Sequence, residues 1–361
     1  MFSLVGCSSS EPPAFVLNLE GRDPAEVSPM QRQTIAEMLE RFFGTPDEPV
    51  AVPESELDLD LLRMAAGPIG SDESGRPWGL FRQHCVTCHG ITGDGVGPMA
   101  ALLNPYPRDF RNGVFKFTST HSGAKPLQED LRRTLRRGIP GTAMPSFETL
   151  PKEEIESLLG YVKYLSLRGE TELFLFQLVV DEDEYSPYPD EILEDGLEPA
   201  VGLWAMAAEL AVDRTDAERS MPTTDTPEAW AASVARGFEL YGSEDAKCAE
   251  CHGPDGEGDG EQNEIHDDWN KGKQGATPEQ TERMAAWYRL PIQELLPRDF
   301  TEGTFLGGER PIDLYWRIHV GIKGTPMPAA GPATGSDGIL TSEEIWDVVN
   351  YVRSRAGVKG K

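Results

Sequence analysis

The sequence predicts a mainly helical chain built from two tandem copies of one unit, and three observations predict it. Two Cys-x-x-Cys-His segments, at 85–89 and 248–252, stand 163 residues apart. Each is followed by the same landmarks in the same order, Pro-Arg-Asp-Phe and then Gly-Thr-x-Met-Pro. Each half then closes on a segment whose apolar residues recur at i, i+3, i+4 and i+7, the spacing of one buried helical stripe. With 361 residues, the chain divides into an N-terminal extension (1–70), a first unit (71–168), an acidic connecting segment (169–236) and a second unit with an insertion (237–361).

The elements follow in chain order. Residues 8–70 are rich in Pro and acids and carry one good helix, with Ser28 as its cap, Pro29 at its first position and Ile35, Met38, Leu39 and Phe42 as its stripe. This region reads as a strap against the first unit, or else as a docking element for a larger complex. A helix carrying Phe81 leads into the first Cys-x-x-Cys-His, and one carrying Phe238 and Tyr241 into the second. Short helices at 127–137 and 311–320 lead into the two Met segments and end at Gly138 and Gly321. The closing helices are 151–168 and 342–355, the second opened by the capping pair Thr341 and Glu344. Between the units, Leu173 to Val180 is apolar and reads as a strand or a helix extension. Residues 181–198 then hold nine acids and no Lys or Arg, which reads as a solvated acidic loop or else as a partner contact, and Ala200 to Ala211 read as another helix.

The repeat is uneven. Cys85 matches Cys248 at an offset of 163, Pro107-Arg108-Asp109-Phe110 matches Pro297-Arg298-Asp299-Phe300 at 190, Met144 matches Met327 at 183, and the closing helices match at 190. The second unit therefore carries an insertion of 27 residues between its cysteines and its Pro-Arg-Asp-Phe.

The cysteines carry the chemistry. Four of the five form the pairs Cys85/Cys88 and Cys248/Cys251, which is not the spread of a disulfide framework. Cys-x-x-Cys-His is the c-type haem attachment pattern: two thiols add to the two vinyl groups of the porphyrin, and the next residue is a histidine that supplies the proximal imidazole. A zinc site would bring both pairs to one tetrahedron, and a thioredoxin-like site would lack the histidine. Met144 and Met327 are candidate sixth ligands, because a thioether completes the iron and raises its potential. A lone methionine is more often core, but two in matched context favour ligation. The remaining histidines have no such pattern. His319 aligns with Arg136, which cannot ligate iron, His84 aligns with Lys247, His121 has no mate, and His266 lies in the insertion as a faint alternative ligand.

Each half resembles a class I cytochrome c domain, over roughly 75–168 and 235–357. The resemblance implies an all-α fold wrapped on one covalent haem c per domain. It implies attachment at Cys85, Cys88, Cys248 and Cys251, and axial pairs His89/Met144 and His252/Met327. It also makes Pro98 the residue whose carbonyl orients the proximal ring; the second half has no such proline after Gly258-Asp259-Gly260. Arg108 and Arg298 suit haem propionates, since a guanidinium grips carboxylates in a bidentate fashion. Leu4-Val5-Gly6-Cys7 resembles a bacterial lipobox, with Cys7 as the lipidated residue. The export signal that would precede it is missing, so either the start codon is placed too late or the match is accidental, and haem attachment favours the late start. Haem attachment favours a periplasmic site or the outer face of the cytoplasmic membrane.

A formal charge of −28 argues against nucleic acid as a partner and for basic redox proteins as donor and acceptor. No apolar run is long enough to span a bilayer, which leaves the lipid at Cys7 as the expected membrane contact. The expected function is electron transfer between a respiratory donor and an acceptor such as a terminal oxidase, as a carrier or as the haem subunit of a larger complex, with no catalytic residue. The alternative is a di-haem peroxidase-like enzyme with one open-site haem, which the insertion in the second half would conceal. A haem-bearing subunit that serves assembly is a third reading.

Overall fold

The computed structural model describes residues 12–184, 187–262, 265–266, 277–286, 289–333 and 335–359. Cys7 lies outside these residues. Helix α1 (Pro29–Phe43) opens on a reciprocal cap: Gln31 N donates to the Ser28 hydroxyl and Ser28 N donates to the Gln31 side chain. Its buried face is Gln31, Ile35, Leu39 and Phe43. Next come α2 (Leu59–Ala65) and a two-stranded antiparallel ribbon, β1 (Gly70–Ser71) with β2 (Pro77–Trp78). α3 (Leu80–His84) and α4 (Val86–His89) then carry the first cysteine pair. The helix expected before that pair is thus short, and α2 precedes it across the ribbon.

α5 (Gln128–Arg137) and α6 (Lys152–Phe176) complete the first unit. α6 overruns the expected end at 168, because Thr171, Glu172, Leu175 and Phe176 stay buried on the same helix. The Leu173–Val180 run is therefore a helix extension, closed by a π turn at Gln177–Asp181. The connecting segment continues through α7 (Pro189–Glu191), α8 (Glu198–Ala205) and α9 (Arg214–Arg219). The second unit comprises α10 (Pro227–Tyr241), α11 (Cys248–His252), α12 (Pro278–Ala285), α13 (Pro311–Val320) and α14 (Ser342–Arg355). Within its insertion, β3 (Ile265–His266) pairs with β4 (Glu294–Leu295).

Two hydrophobic cores form among the described residues. The first gathers α1, α2, α3 and α6 and extends through Leu178, Ile192, Leu197, Val201 and Trp204, so most of the acidic segment is built onto the first unit. Between the acids of 181–198, Ile192 and Leu197 are buried and Leu193 packs against the core, while Tyr188 stays exposed. The second core gathers Ala217, Tyr241, Trp316, Trp346 and the rest of α13 and α14. The N-terminal segment is held to the first unit by charge as well: Asn18 N donates to Glu172, which pairs with Arg168 at 3.0 Å, and both carboxylate and guanidinium are buried.

Candidate functional site

The two cysteine segments fold alike. In the first, His89 N and Gly90 N donate to the carbonyls of Cys85 and Val86; in the second, Gly253 N donates to Ala249 O. A glycine loop then folds back under each turn. Gly95 N donates to His89 O and Gly97 N to Cys88 O; Gly258 N donates to His252 O and Gly260 N to Cys251 O. A Cβ on Gly97 would lie 2.4 Å from Val86 O, and one on Gly260 would lie 2.3 Å from Glu250 O, so only glycine admits this approach. No disulfide joins these four cysteines, and burial pushes the Cys85 thiol up to about 12 and the Cys248 thiol to about 11.

The loop delivers the Pro-Arg-Asp-Phe segment beneath each histidine. Phe110 N donates to Gly93 O and Phe300 N to Gly256 O, both at 2.8 Å. The Nδ1–H of His89 then donates to the Arg108 carbonyl at 3.0 Å, and that of His252 to the Arg298 carbonyl at 3.2 Å. Phe110 stacks on the His89 ring with centroids 4.4 Å apart, and Phe300 lies 4.7 Å from His252. This corrects the role expected for Pro98. That proline is exposed in the glycine turn, and the carbonyl that orients the ring comes from the arginine of Pro-Arg-Asp-Phe. The same device in the second half explains how it manages without a proline. The repetition of Pro-Arg-Asp-Phe in both halves was the signal, but a carbonyl acceptor leaves no mark in side-chain identity.

Burial pushes His89 down to about 4 and lowers His252 as well. Each ring is therefore a neutral imidazole whose Nδ1 proton is committed to a carbonyl, which leaves the Nε2 lone pair for a metal.

The methionine segments also match bond for bond. Ile139 N donates to Met144 O and Ile322 N to Met327 O, both at 3.1 Å. The Thr142 and Thr325 hydroxyls donate to Ile139 O and Ile322 O, and in turn accept from Met144 N and Met327 N. Gly138 (φ 66°) and Gly321 (φ 72°) open the two loops in a conformation that suits glycine. Both methionines are half-buried. In each half the cysteine pair suits covalent attachment at the vinyl groups of a porphyrin, and the neutral imidazole and the thioether are the donor types that suit its iron. Arg298 Nε is buried without a hydrogen-bond partner, a donor of the kind a propionate would accept from, while its Nη2 pairs with Glu302.

The other histidines stand apart from these sites. His319 Nε2 bonds to Pro332 O at 2.9 Å and Nδ1 to the Tyr315 hydroxyl, and its ring lies 5.6 Å from that of His121. His84 packs edge-on to Phe147, and His266 Nδ1 bonds to Gln293 O.

The two domains meet through matched positions, which the sequence did not reveal. A Cβ on Gly141, in the first Met loop, would meet Leu306 and Thr304; one on Gly324, in the second, would meet Arg108 and Val114. Thr304 and Val114 are equivalent in the repeat. Arg133 lies over its own counterpart, Trp316, at 4.9 Å, and Phe117 packs on its counterpart Gly307. The join is thus an approximate twofold that sets each Met loop against the tail of the other domain's Pro-Arg-Asp-Phe. A cavity of about 260 Å³ beside it is lined by Glu20, Tyr106, Arg108, Asn112, Val114 and Gly324 among others.

Comparison with known proteins agrees with this duplication. Residues 73–162 match the family model for cytochrome c oxidase, cbb3-type, subunit III, and residues 234–356 match that for cytochrome c. No curated protein gives a significant match. Among solved structures, a chain of the Kuenenia stuttgartiensis reducing HAO-like protein complex is similar at 26% identity and a TM-score of 0.52, over 79% of this chain and 97% of that one. With two cytochrome c domains in tandem, each presenting two cysteines and a neutral histidine for one covalent haem, the chain is a di-haem c-type cytochrome.

Proposed function

We propose that this cytochrome relays single electrons between redox proteins through two His/Met sites, His89/Met144 and His252/Met327. When bound, the haem supplies a one-electron couple. The chain's own residues do the rest. Arg108 and Arg298 hold the proximal rings by their carbonyls, Phe110 and Phe300 fix the ring planes, and Thr142 and Thr325 set the backbone of the Met loops. Arg108 and Arg298 are proposed propionate partners. The observation that carries the reading is the identity of the two Met loops: the same four hydrogen bonds recur around Met144 and Met327, although the stretches leading to them differ in length. A methionine serving only as core filler has no reason to keep a common loop in both domains.

The experiment is optical. The oxidised protein is expected to show the weak far-red band of sulfur-to-iron ligation from two low-spin haems. Met144→Ala and Met327→Ala should each remove one haem's share of it. A second reading, an enzyme with one open-site haem, draws support from the likeness to a chain of an HAO-like complex. A high-spin haem that reacts with peroxide in the unmodified protein would establish that reading and remove the relay.

The setting belongs to the same proposal. Donor and acceptor are protein partners, and the chain is a subunit or client of a respiratory complex; the cbb3-type match to the first domain supports this. No helix among the described residues is long and apolar enough to cross a membrane. A lipid on Cys7 would tether the protein in the periplasm or on the outer face of the cytoplasmic membrane. Mass spectrometry of the membrane-extracted protein tests this: an unacylated Cys7 would refute the anchor.

A further inference from the structure

We infer that the second domain positions the proximal histidine of the first. Gln293, in the lengthened stretch ahead of Pro297, is a positioning residue that grips the chain leading to Arg108 and so keeps the Arg108 carbonyl on the His89 ring. The second domain thereby tunes the potential of the first haem. The inference rests on His89 as the proximal ligand of that haem, as proposed above, and is independent of the sixth ligand.

The carbonyl that orients His89 is only as well placed as the chain that carries it. That chain enters through Leu103 to Tyr106, and the second domain holds both ends. Gln293 Nε2 donates to Leu103 O at 2.8 Å, and Tyr106 N donates to Gln293 Oε1 at 2.9 Å. One planar amide thus supplies a donor and an acceptor to two backbone groups of the other domain. Gln293 is anchored at home, where its carbonyl meets His266 Nδ1 and the next two residues form β4 against β3. Arg289 adds a second hold, on the glycine loop beneath His89. Its guanidinium pairs with Asp94, whose carboxylate is buried and whose other oxygen accepts from Val96 N at 3.0 Å. Between Asp94 and Val96, Gly95 N donates to His89 O at 3.0 Å.

The repeat offers a natural control. Gln293 and Leu103 are equivalent, each four residues before its Pro-Arg-Asp-Phe, so the bridging residue bonds to its own counterpart. A leucine side chain has no polar atom, and Leu103 cannot return the grip. Leu296, the counterpart of Tyr106, is 79% exposed. At this pair of positions the hold runs one way, from the second domain to the first.

The sign follows from the hydrogen bond. Donation from Nδ1 to a carbonyl makes the imidazole a stronger donor to iron, which favours the oxidised state and lowers the potential. Loosening the Arg108 carbonyl weakens that bond, so the potential of the first haem rises.

Nuclear magnetic resonance of the whole di-haem protein is the test. The hyperfine-shifted ring signals of His89 and His252, told apart by their contacts with Phe110 and Phe300, follow each haem through a redox titration. Gln293→Leu keeps the net charge. It is expected to raise the midpoint of the first haem and to speed solvent exchange of the His89 Nδ1 proton, with smaller changes at His252. Gln293→Asn keeps an amide on a shorter stem and should restore part of both effects. Arg289→Lys, a charge-conserving change at a half-exposed side chain, should shift the His89 proton in the same direction even if Gln293→Leu fails to fold. A first midpoint and a His89 proton unmoved by Gln293→Leu, or shifts as large at His252, overturn the inference alone. A His89 ring without hyperfine shift in the oxidised, unmodified protein removes His89 as the proximal ligand, and this inference with it.

Discussion

In the first domain the closing helix α6 runs beneath a cover. Phe43 of α1 lies 5.7 Å from Tyr164 and Phe15 lies 6.4 Å from it, and the Tyr164 hydroxyl donates to Phe43 O. In the second domain the equivalent face of α14 is open. Ser354 stands where Tyr164 does, and Trp230, Val234, Phe238 and Tyr351 line a groove in which Phe238 remains 54% exposed. The helix pairs beneath also differ. α10 is one continuous helix crossing α14, whereas the first domain divides the task between α2 and α3 across the β1–β2 ribbon. Around the histidines and methionines the two domains agree bond for bond. The difference teaches that the haem-holding backbone is the invariant of the unit, and that the packing which supports it can be met by two unlike covers.

The crossing of α10 and α14 is where that comparison is easiest to break. A Cβ on Gly237 would lie 2.0 Å from Asp347 O, so the helices touch backbone to backbone there. Asp347 locks the crossing further, accepting from Ser233 at 2.5 Å and from Arg236 at 2.7 Å. In the first domain the matching residue, Ser157, donates its hydroxyl to Leu61 O on α2. Gly237→Val should therefore cost the second domain about 3 kcal/mol or more, since a carbonyl cannot yield as a side chain can. Because the two cores are separate, denaturant titration followed by haem absorbance should show the second domain melting early and the first unchanged. A single cooperative loss of both would mean that the covers are not independent.

Much of the site was legible in the sequence, for a physical reason. Covalent attachment and axial ligation demand particular side chains at fixed spacing, so Cys85, Cys88, His89 and their mates announce themselves, and duplication singles out Met144 and Met327 among ten methionines. What stayed hidden depends on backbone atoms or on long-range packing. The carbonyl that orients His89 is that of Arg108 and not of Pro98, a difference side-chain identity does not show because any residue can supply a carbonyl. The acid-rich run at 181–198 reads as solvated loop, yet Ile192 and Leu197 are fully buried in the first core; composition averages over faces that packing separates. The reach of Arg108 to Gly324 could not be read at all, since it depends on how two domains dock.

Lys323 sharpens the comparison between the Met loops. From Gly138 and Gly321 to the prolines after the methionines they differ at two positions, Pro140 against Lys323 and Ala143 against Pro326, and Lys323 crosses the join. Its Nζ donates to the Thr120 hydroxyl and to Ala124 O, both at 2.7 Å. Burial pushes it down to about 8 from 10.5, with Lys125 adding to the depression and Asp130 opposing it. The folded state thus sheds this proton before the unfolded chain does. The contribution is complete above pH 10.5 and is lost as pH falls through about 8. Across that window Lys323 should give stability a rising slope of at most about 1.4 kcal/mol per pH unit. Lys323→Met keeps the stem and removes the titration. Denaturant midpoints from pH 7 to 11 should show wild type gaining on the variant in this window; parallel profiles would refute the latch.

The finest test asks whether the two proximal sites are energetically as well as geometrically equivalent. Phe110 touches the His89 ring, Phe81 and Phe115; Phe300 touches the His252 ring, Tyr241 and Phe305. Both side chains are buried, 8% and 7% exposed, so their surroundings match as closely as their contacts do. Leucine keeps most of the volume and loses the aromatic stacking. Phe110→Leu and Phe300→Leu should each cost about 1 kcal/mol, each in its own domain. Denaturant midpoints of the two variants, read at the haem of the altered domain, measure this. If the two costs differ by more than about 1 kcal/mol, the cover reaches through to the ligand, and the first domain's extra layer of α1 and α2 is part of how His89 is held. If they agree, the cover supports the fold, and the Pro-Arg-Asp-Phe segment alone holds the ring.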